Sequence, residues 1–179
     1  MTNFYLPYVK FDNIIIAEAR AWDKKIRAKF GSTIDERNYT KFNKKDRWFD
    51  GRLCELIFQK YLNEQKIPFI DLTNDVGQPD KGDCDIWGKV WDAKKCASSG
   101  FFYNQEQALK YGYKDFYCAV LIFDAPYYGE AQLKGWLTGE EVKRLPIRTD
   151  CEAPAHFCRF DKLHRDFTEV LSADYLFNN

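Results

Sequence analysis

Two early segments of the chain carry apolar residues at helical spacing. Residues 14–30 place isoleucine and alanine side chains on one face and lysine and arginine on the others, which predicts a helix that ends at Gly31. Apolar residues between 53 and 62 predict a second amphipathic helix, with Asp50 as its N-cap. Glu55 lies beside that apolar stripe, where an unpaired carboxylate is poorly solvated, so we expect it to have a functional role. The alternative is that Glu55 only complements the dipole of the helix.

A hairpin with several charged residues follows. A two-residue turn at Gly88-Lys89, with Gly at the first central position, would place Asp85 directly opposite Asp92. Side chains alternate between the faces of a strand, so Asp92 and Lys94 share one face. Two facing carboxylates repel each other unless a cation lies between them, and hard oxygen ligands suit Mg²⁺. The pattern therefore predicts a divalent-metal site beside a lysine. The alternative is an exposed hairpin with a surface ion pair.

The rest of the pattern predicts an α/β fold. The continuous apolar run at 116–123 is typical of a central strand covered on both faces. A short helix at 104–111 precedes it, whereas a strand around 97–103 is only faintly indicated because 97–100 has the composition of a loop. Further elements are a short helix beginning near Thr138, an edge strand at 157–160 and a terminal helix at 163–171. With no repeat or linker, we expect a single domain over residues 1–179, with a basic helical N-terminal segment at about 1–48.

The hairpin motif resembles the signature of the PD-(D/E)xK nuclease superfamily, with Asp85, Asp92 and Lys94 as the matching residues. This resemblance implies a restriction-endonuclease-like core, in which helices flank both faces of a central mixed β-sheet. It also implies that the two aspartates, the backbone carbonyl of Ala93 and Glu55 hold Mg²⁺, for which Mn²⁺ can substitute, while the lysine positions the attacking water. The implied activity is hydrolysis of phosphodiester bonds, with endonuclease action favoured, leaving 5′-phosphate and 3′-hydroxyl ends.

Two assignments within this resemblance have competing explanations. In the same hairpin register Asp83 lies opposite Lys94 and on the face of Asp85, so either aspartate could be the metal ligand, with Asp85 preferred. Gln107 and Tyr111 are similar to a Gln-x-x-x-Tyr element of RecB-like members, which would place Gln107 in the catalytic site. Alternatively, Asn104 and Gln107 form a capping box that uses the glutamine locally.

Charge gives a mixed indication about the partner. The 27 basic and 27 acidic residues give a formal net charge of zero, which is not typical of a nucleic-acid binder. From Arg20 to Arg47, however, Lys and Arg outnumber Asp and Glu, and aromatic residues are interspersed among them. Such a stretch could follow a phosphate backbone, so we expect a nucleic-acid partner, with DNA favoured over RNA. The alternative is that it forms a solvated helix face followed by a basic loop. A protein that binds nucleic acid without cleaving it is a second alternative, and the sequence leaves open whether the chain forms a homodimer.

Cysteine and histidine offer one competing metal site. Cys151, His156, Cys158 and His164 are four zinc-type ligands close together in the chain, and they could form a Zn²⁺ interaction module, although their spacing fits no standard finger. The six cysteines show no CxxC pair, and neither a signal peptide nor a transmembrane run is apparent. We therefore expect free thiols and a cytoplasmic location.

Overall fold

A computed structural model of the chain describes residues 6–30, 47–73, 81–123, 129–150 and 153–172. Gly31, Cys151 and most of the basic stretch after residue 30 lie outside these residues. Within them, nine strands, five α-helices and one 3-10 helix form in this order: β1 (Tyr8–Lys10), α1 (Asn13–Phe30), α2 (Arg47–Glu64), β2 (Ile70–Asp71), β3 (Cys84–Ile86), β4 (Lys89–Lys95), β5 (Phe101–Asn104), α3 (Gln105–Tyr111), β6 (Phe116–Ile122), β7 (Glu130–Thr138), α4 (Gly139–Arg144), β8 (Ile147–Arg148), β9 (Ala155–Cys158), the 3-10 helix (Phe160–Lys162) and α5 (Phe167–Val170).

The main sheet is mixed and has six strands in the order β1-β7-β6-β4-β3-β2. Its central pair, β4 and β6, is parallel, whereas the other neighbours are antiparallel. A parallel pair requires a crossover, and β5 with α3 provides it here. The prediction of an α/β fold with a mixed central sheet is confirmed. β5 also pairs with β9 in a second, three-stranded sheet of order β5-β9-β8.

The central strand β6 separates two hydrophobic cores. Its residues Phe116, Cys118 and Val120 belong to the core that α1 and α2 cover. The alternate residues Tyr117 and Ala119 belong to a second core, which includes side chains from β5, α3, α4 and β9. Both faces of the strand are therefore buried, as the continuous apolar run predicted. None of the described helices is long and apolar enough to span a membrane.

Several element predictions are confirmed and several are wrong. The α1 helix and the α4 helix form as expected, and α4 begins with a complete capping box between Thr138 and Glu141. The α2 helix begins at Arg47 rather than after Asp50, so the N-cap assignment of Asp50 is wrong. The terminal helix is only Phe167–Val170, because a 3-10 turn and a β-bridge precede it. The longest strand of the sheet, β7, is not among the predicted elements.

Candidate metal centre

The turn of the β3–β4 hairpin lies one residue earlier than predicted, which shifts the partner of each β3 residue by two positions. Ile86 pairs with Lys89 and Asp85 with Val90, so the turn residues are Trp87 and Gly88. Both have positive φ, 55° and 81°, as a type I′ turn requires. Asp85 Oδ1 accepts a hydrogen bond from the Gly88 N–H (2.7 Å), which stabilises this turn. The prediction that Asp85 faces Asp92 is therefore wrong, because Asp85 pairs with Val90 and its side chain contacts the turn.

Asp83 instead lies beside Asp92. Its N–H donates to the Trp91 carbonyl (2.8 Å), and its side chain accepts the Ala93 N–H through Oδ2 (2.5 Å). Asp83 is thus hydrogen-bonded to Trp91 and Ala93, the residues before and after Asp92. Asp83 is only 5% exposed. The alternative in which Asp83 is the acidic residue of the first strand agrees with this geometry. Ala93 itself is buried and pairs with Cys118 in the parallel ladder.

Asp92 and Lys94 form the ion pair at the centre of the site. Asp92 is fully buried, and Lys94 Nζ lies 2.7 Å from its Oδ1. The lysine side chain is 27% exposed, so part of it reaches solvent although its ammonium group lies against the carboxylate. Its Nζ also lies 5.9 Å from the centroid of the Tyr103 ring, within the range of a cation–π contact. The predicted placement of a carboxylate and an amine together on β4 is confirmed.

The α2 helix brings Glu55 to the same region. Glu55 lies about two turns inside the helix, beyond the reach of the N-terminal dipole, so a helix-dipole role does not account for it. Its Oε2 accepts a hydrogen bond from Arg52 Nη1 at 3.0 Å. Arg52 was not among the predicted site residues, although its spacing of three residues from Glu55 on a helix is typical of an ion pair.

The pKa values of the carboxyl groups indicate that they influence one another. Burial raises the pKa of Glu55, and the charge of Asp92 adds to this effect, whereas Arg52 and Lys94 lower it. Burial raises the pKa of Asp83 well above its usual range, and the charges of Glu55 and Asp92 raise it further. Lys94 and the hydrogen bond from Ala93 act in the opposite direction. Asp83 and Asp92 therefore lie together with Lys94, and Glu55 of α2 is close enough for its charge to act on Asp83 from a poorly solvated position.

The donor chemistry of this cluster fits a hard divalent cation, but the side chains are paired with each other. Within the described ranges, no group of three or more His, Cys, Asp or Glu side chains is arranged to hold a metal ion as it stands. The positive groups Lys94 and Arg52 lie against Asp92 and Glu55 instead. When all three are ionised, Glu55, Asp83 and Asp92 carry more negative charge than Lys94 and Arg52 can offset, since Arg52 also pairs with Glu18. A divalent cation would offset this charge if the Lys94 ammonium group moved away from Asp92.

The backbone N–H of Gln107 takes part in the cap of α3. Asn104 is the N-cap of α3, and its Oδ1 accepts the backbone N–H of Gln107 at 3.0 Å. The N-cap part of the alternative explanation is therefore confirmed. The described contacts bring together Glu55, Asp83, Asp92 and Lys94, whereas those of Gln107 are with the start of its own helix.

The described members of the predicted zinc set have other partners. His156 is buried, and its Nε2 lies 2.8 Å from the hydroxyl group of Tyr113. His164 Nε2 lies 2.6 Å from Glu141 Oε1, and its ring stacks on Trp136. Cys158 is a buried free thiol. These contacts, together with the absence of a metal-binding group among the described residues, give no support for a zinc site there.

No model of a known protein family matches the chain, and no curated protein and no solved structure matches it significantly. The likeness to the nuclease superfamily therefore depends on the motif residues and on their arrangement in space.

Proposed function

We propose that this protein is a Mg²⁺-dependent nuclease that hydrolyses phosphodiester bonds, with DNA as the first candidate substrate and internal cleavage favoured. The observation that carries the proposal is that Asp83, Asp92 and Lys94 lie together, while Glu55, 37 positions before Asp92 in the sequence, is close enough to interact with them electrostatically. Asp83 takes the ligand role that the sequence assigned to Asp85. The order of helix, acidic strand and Asp-x-Lys strand supports a restriction-endonuclease-like core.

Each residue has a role that follows from its position. Asp83, Asp92 and Glu55 would hold the cation with their carboxylate oxygens, since all three lie in a poorly solvated region. Bound there, Mg²⁺ would lower the pKa of a water molecule and offset the charge of the scissile phosphate. Lys94, whose ammonium group lies 2.7 Å from Asp92 Oδ1 on a partly exposed side chain, would orient the attacking water for in-line displacement. The products would carry 5′-phosphate and 3′-hydroxyl ends.

The basic stretch that was expected to bind the phosphate backbone is described only in part. In α1, Arg27 pairs with Asp23 (2.9 Å), and the guanidinium group of Arg20 lies 4.4 Å from the centroid of the Phe49 ring. These two arginines are therefore engaged within the protein, so phosphate binding by α1 would depend on its lysines, such as Lys24 and Lys25.

The test is incubation of the purified protein with labelled duplex, single-stranded and branched DNA and with RNA, in Mg²⁺, in Mn²⁺ and in EDTA. Cleavage should require a divalent cation and should disappear in Asp92→Asn and Lys94→Ala. The matched control is Asp85→Asn, which changes the same hairpin outside the carboxylate cluster and should retain activity. Circular dichroism would establish that each variant is folded.

Two results would contradict the proposal. Full activity in folded Lys94→Ala protein would remove the assigned role of the lysine. Binding without cleavage under every metal condition would favour the alternative, a nucleic-acid-binding protein with a nuclease-like core.

A further inference from the structure

Arg52 is a buried cation whose contacts reach three separate parts of the chain. It is 7% exposed, although arginine is rarely buried. Its Nη1 donates to Glu55 Oε2 (3.0 Å) and to the Thr73 hydroxyl (2.6 Å), and its Nη2 donates to Glu18 Oε1 (3.0 Å). The acceptors therefore come from α2, from the residues after β2 and from α1. A planar guanidinium group with hydrogen bonds in three directions has one fixed orientation.

The Thr73 contact is itself held in place. The Thr73 hydroxyl donates to Asp71 Oδ1, and the Thr73 N–H donates to the same oxygen (2.9 Å). The hydroxyl oxygen is consequently aimed at Arg52 rather than free to rotate. Arg52 is thus fixed from the β2 side as well as from α1.

The hydrogen bond to Glu55 is asymmetric. Among the described residues only Arg52 donates to Glu55, and it does so at Oε2. Oε1 receives no hydrogen bond from these residues. A carboxylate held at one oxygen retains the other for a further ligand, and it has lost the freedom to rotate away from it.

We propose that Arg52 is a positioning residue of the cation site, holding Glu55 by Oε2 so that Oε1 remains available to the cation. The inference rests on the proposed function. It differs from the view that Arg52 merely neutralises Glu55, because a simple counter-ion would compete with Mg²⁺ and its removal would tighten metal binding. A positioning residue has the opposite effect, since its loss leaves Glu55 mobile and weakens metal binding.

The experiment measures Mg²⁺ binding directly, by isothermal titration calorimetry at about pH 8 without nucleic acid, where the carboxyl groups are closest to full ionisation. Arg52→Lys keeps the charge but cannot reach three acceptors at once, so its Kd for Mg²⁺ should rise at least about 10-fold, as for other residues that orient metal ligands. The control is Lys60→Met, which breaks the Lys60–Glu64 ion pair (2.7 Å) on the same helix and should leave the Kd unchanged.

A second variant keeps the inference testable if Arg52→Lys fails to fold. Glu18→Ala removes one acceptor of Arg52 at a half-exposed position and leaves Glu55 intact. Its Kd for Mg²⁺ should also rise, by a smaller factor than in Arg52→Lys. An unchanged or lower Kd in the folded variants would overturn the inference.

The result also separates this inference from the proposed function. If wild-type protein binds Mg²⁺ and Asp92→Asn does not, the cation site stands, and an unchanged Kd in Arg52→Lys then refutes only the role of Arg52. If wild-type protein does not bind Mg²⁺, both the cofactor and the positioning role are refuted.

Discussion

Replacing Asp83 by Asn should change how the stability of the protein depends on pH. Asp83 and Glu55 both have a raised pKa in the folded state, in each case mainly through burial. Between the unfolded pKa values, about 4, and the raised folded values, the folded state keeps protons that the unfolded state has lost. The free energy of unfolding therefore falls as the pH rises through this window, by about 1.4 kcal/mol per pH unit for each such carboxyl group.

Two groups with raised pKa values should contribute a fall of about 2.7 kcal/mol per pH unit where their windows overlap. Asp83→Asn removes one of them and retains a side-chain oxygen that can accept the Ala93 N–H. The variant should therefore lose about 1.4 kcal/mol per pH unit of this slope and become more stable than the wild type near neutral pH. Its stability should exceed that of the wild type increasingly as the pH rises through the window.

The assay is urea unfolding followed by tryptophan fluorescence, at intervals from about pH 4.5 to about pH 8, with the difference between wild type and variant taken at each pH. Asp85→Asn is the matched control because the Asp85 side chain accepts a hydrogen bond from the turn of the same hairpin and lies outside the carboxylate cluster. If the slopes of wild type and Asp83→Asn are the same, or if Asp85→Asn changes the slope equally, the reasoning about the buried carboxylate cluster is refuted.

Three further predictions concern the same hairpin and the cation. Lys94→Met should destabilise the fold by about 3 kcal/mol in urea unfolding, because it removes a cation from the buried Asp92. Lys95→Met, which breaks a more exposed pair with Asp50, should cost less than about 1 kcal/mol, and equal losses in the two variants would contradict this prediction. Mg²⁺ should raise the Tm in differential scanning fluorimetry at about pH 8 and much less at about pH 5, where protons occupy the carboxyl groups with raised pKa. Equal Tm shifts at the two pH values would count against Mg²⁺ binding at this cluster. Trp87→Asn should stabilise the fold by up to about 1 kcal/mol in the same urea assay, because a positive φ of 55° suits Asn better than a bulky aromatic residue, and a loss of stability would contradict the strain.

Regular periodicity made some elements of the fold predictable. The α1 helix, the buried strand β6 and the capped helix α4 all have sequence patterns that agree with their packing. In contrast, β7 contains Gly135, which has the appearance of a strand breaker. The structure gives the reason for this glycine, since a Cβ there would lie 2.5 Å from the His164 carbonyl oxygen. A close approach of two distant segments cannot be inferred from one of them alone.

The site was predictable in its chemistry and only partly in its geometry. Asp92 and Lys94 lie on one strand, so their proximity followed from the sequence. The choice between Asp83 and Asp85 depended on the position of the turn, and a tryptophan with positive φ is an unexpected turn residue. Arg52 could not be placed, because two of its three acceptors are distant in sequence and meet it only in the folded chain.

The strand β4 supplies the site and the core at once, since Trp91 and Ala93 belong to the core under α2 while Asp92 lies between them. Insertion or deletion of a single residue before Asp92 would exchange these roles, placing a carboxylate in the apolar layer and an indole in the polar cluster. Homologous chains should accordingly vary in length at the hairpin tip and keep a constant number of residues from Trp91 to Lys94.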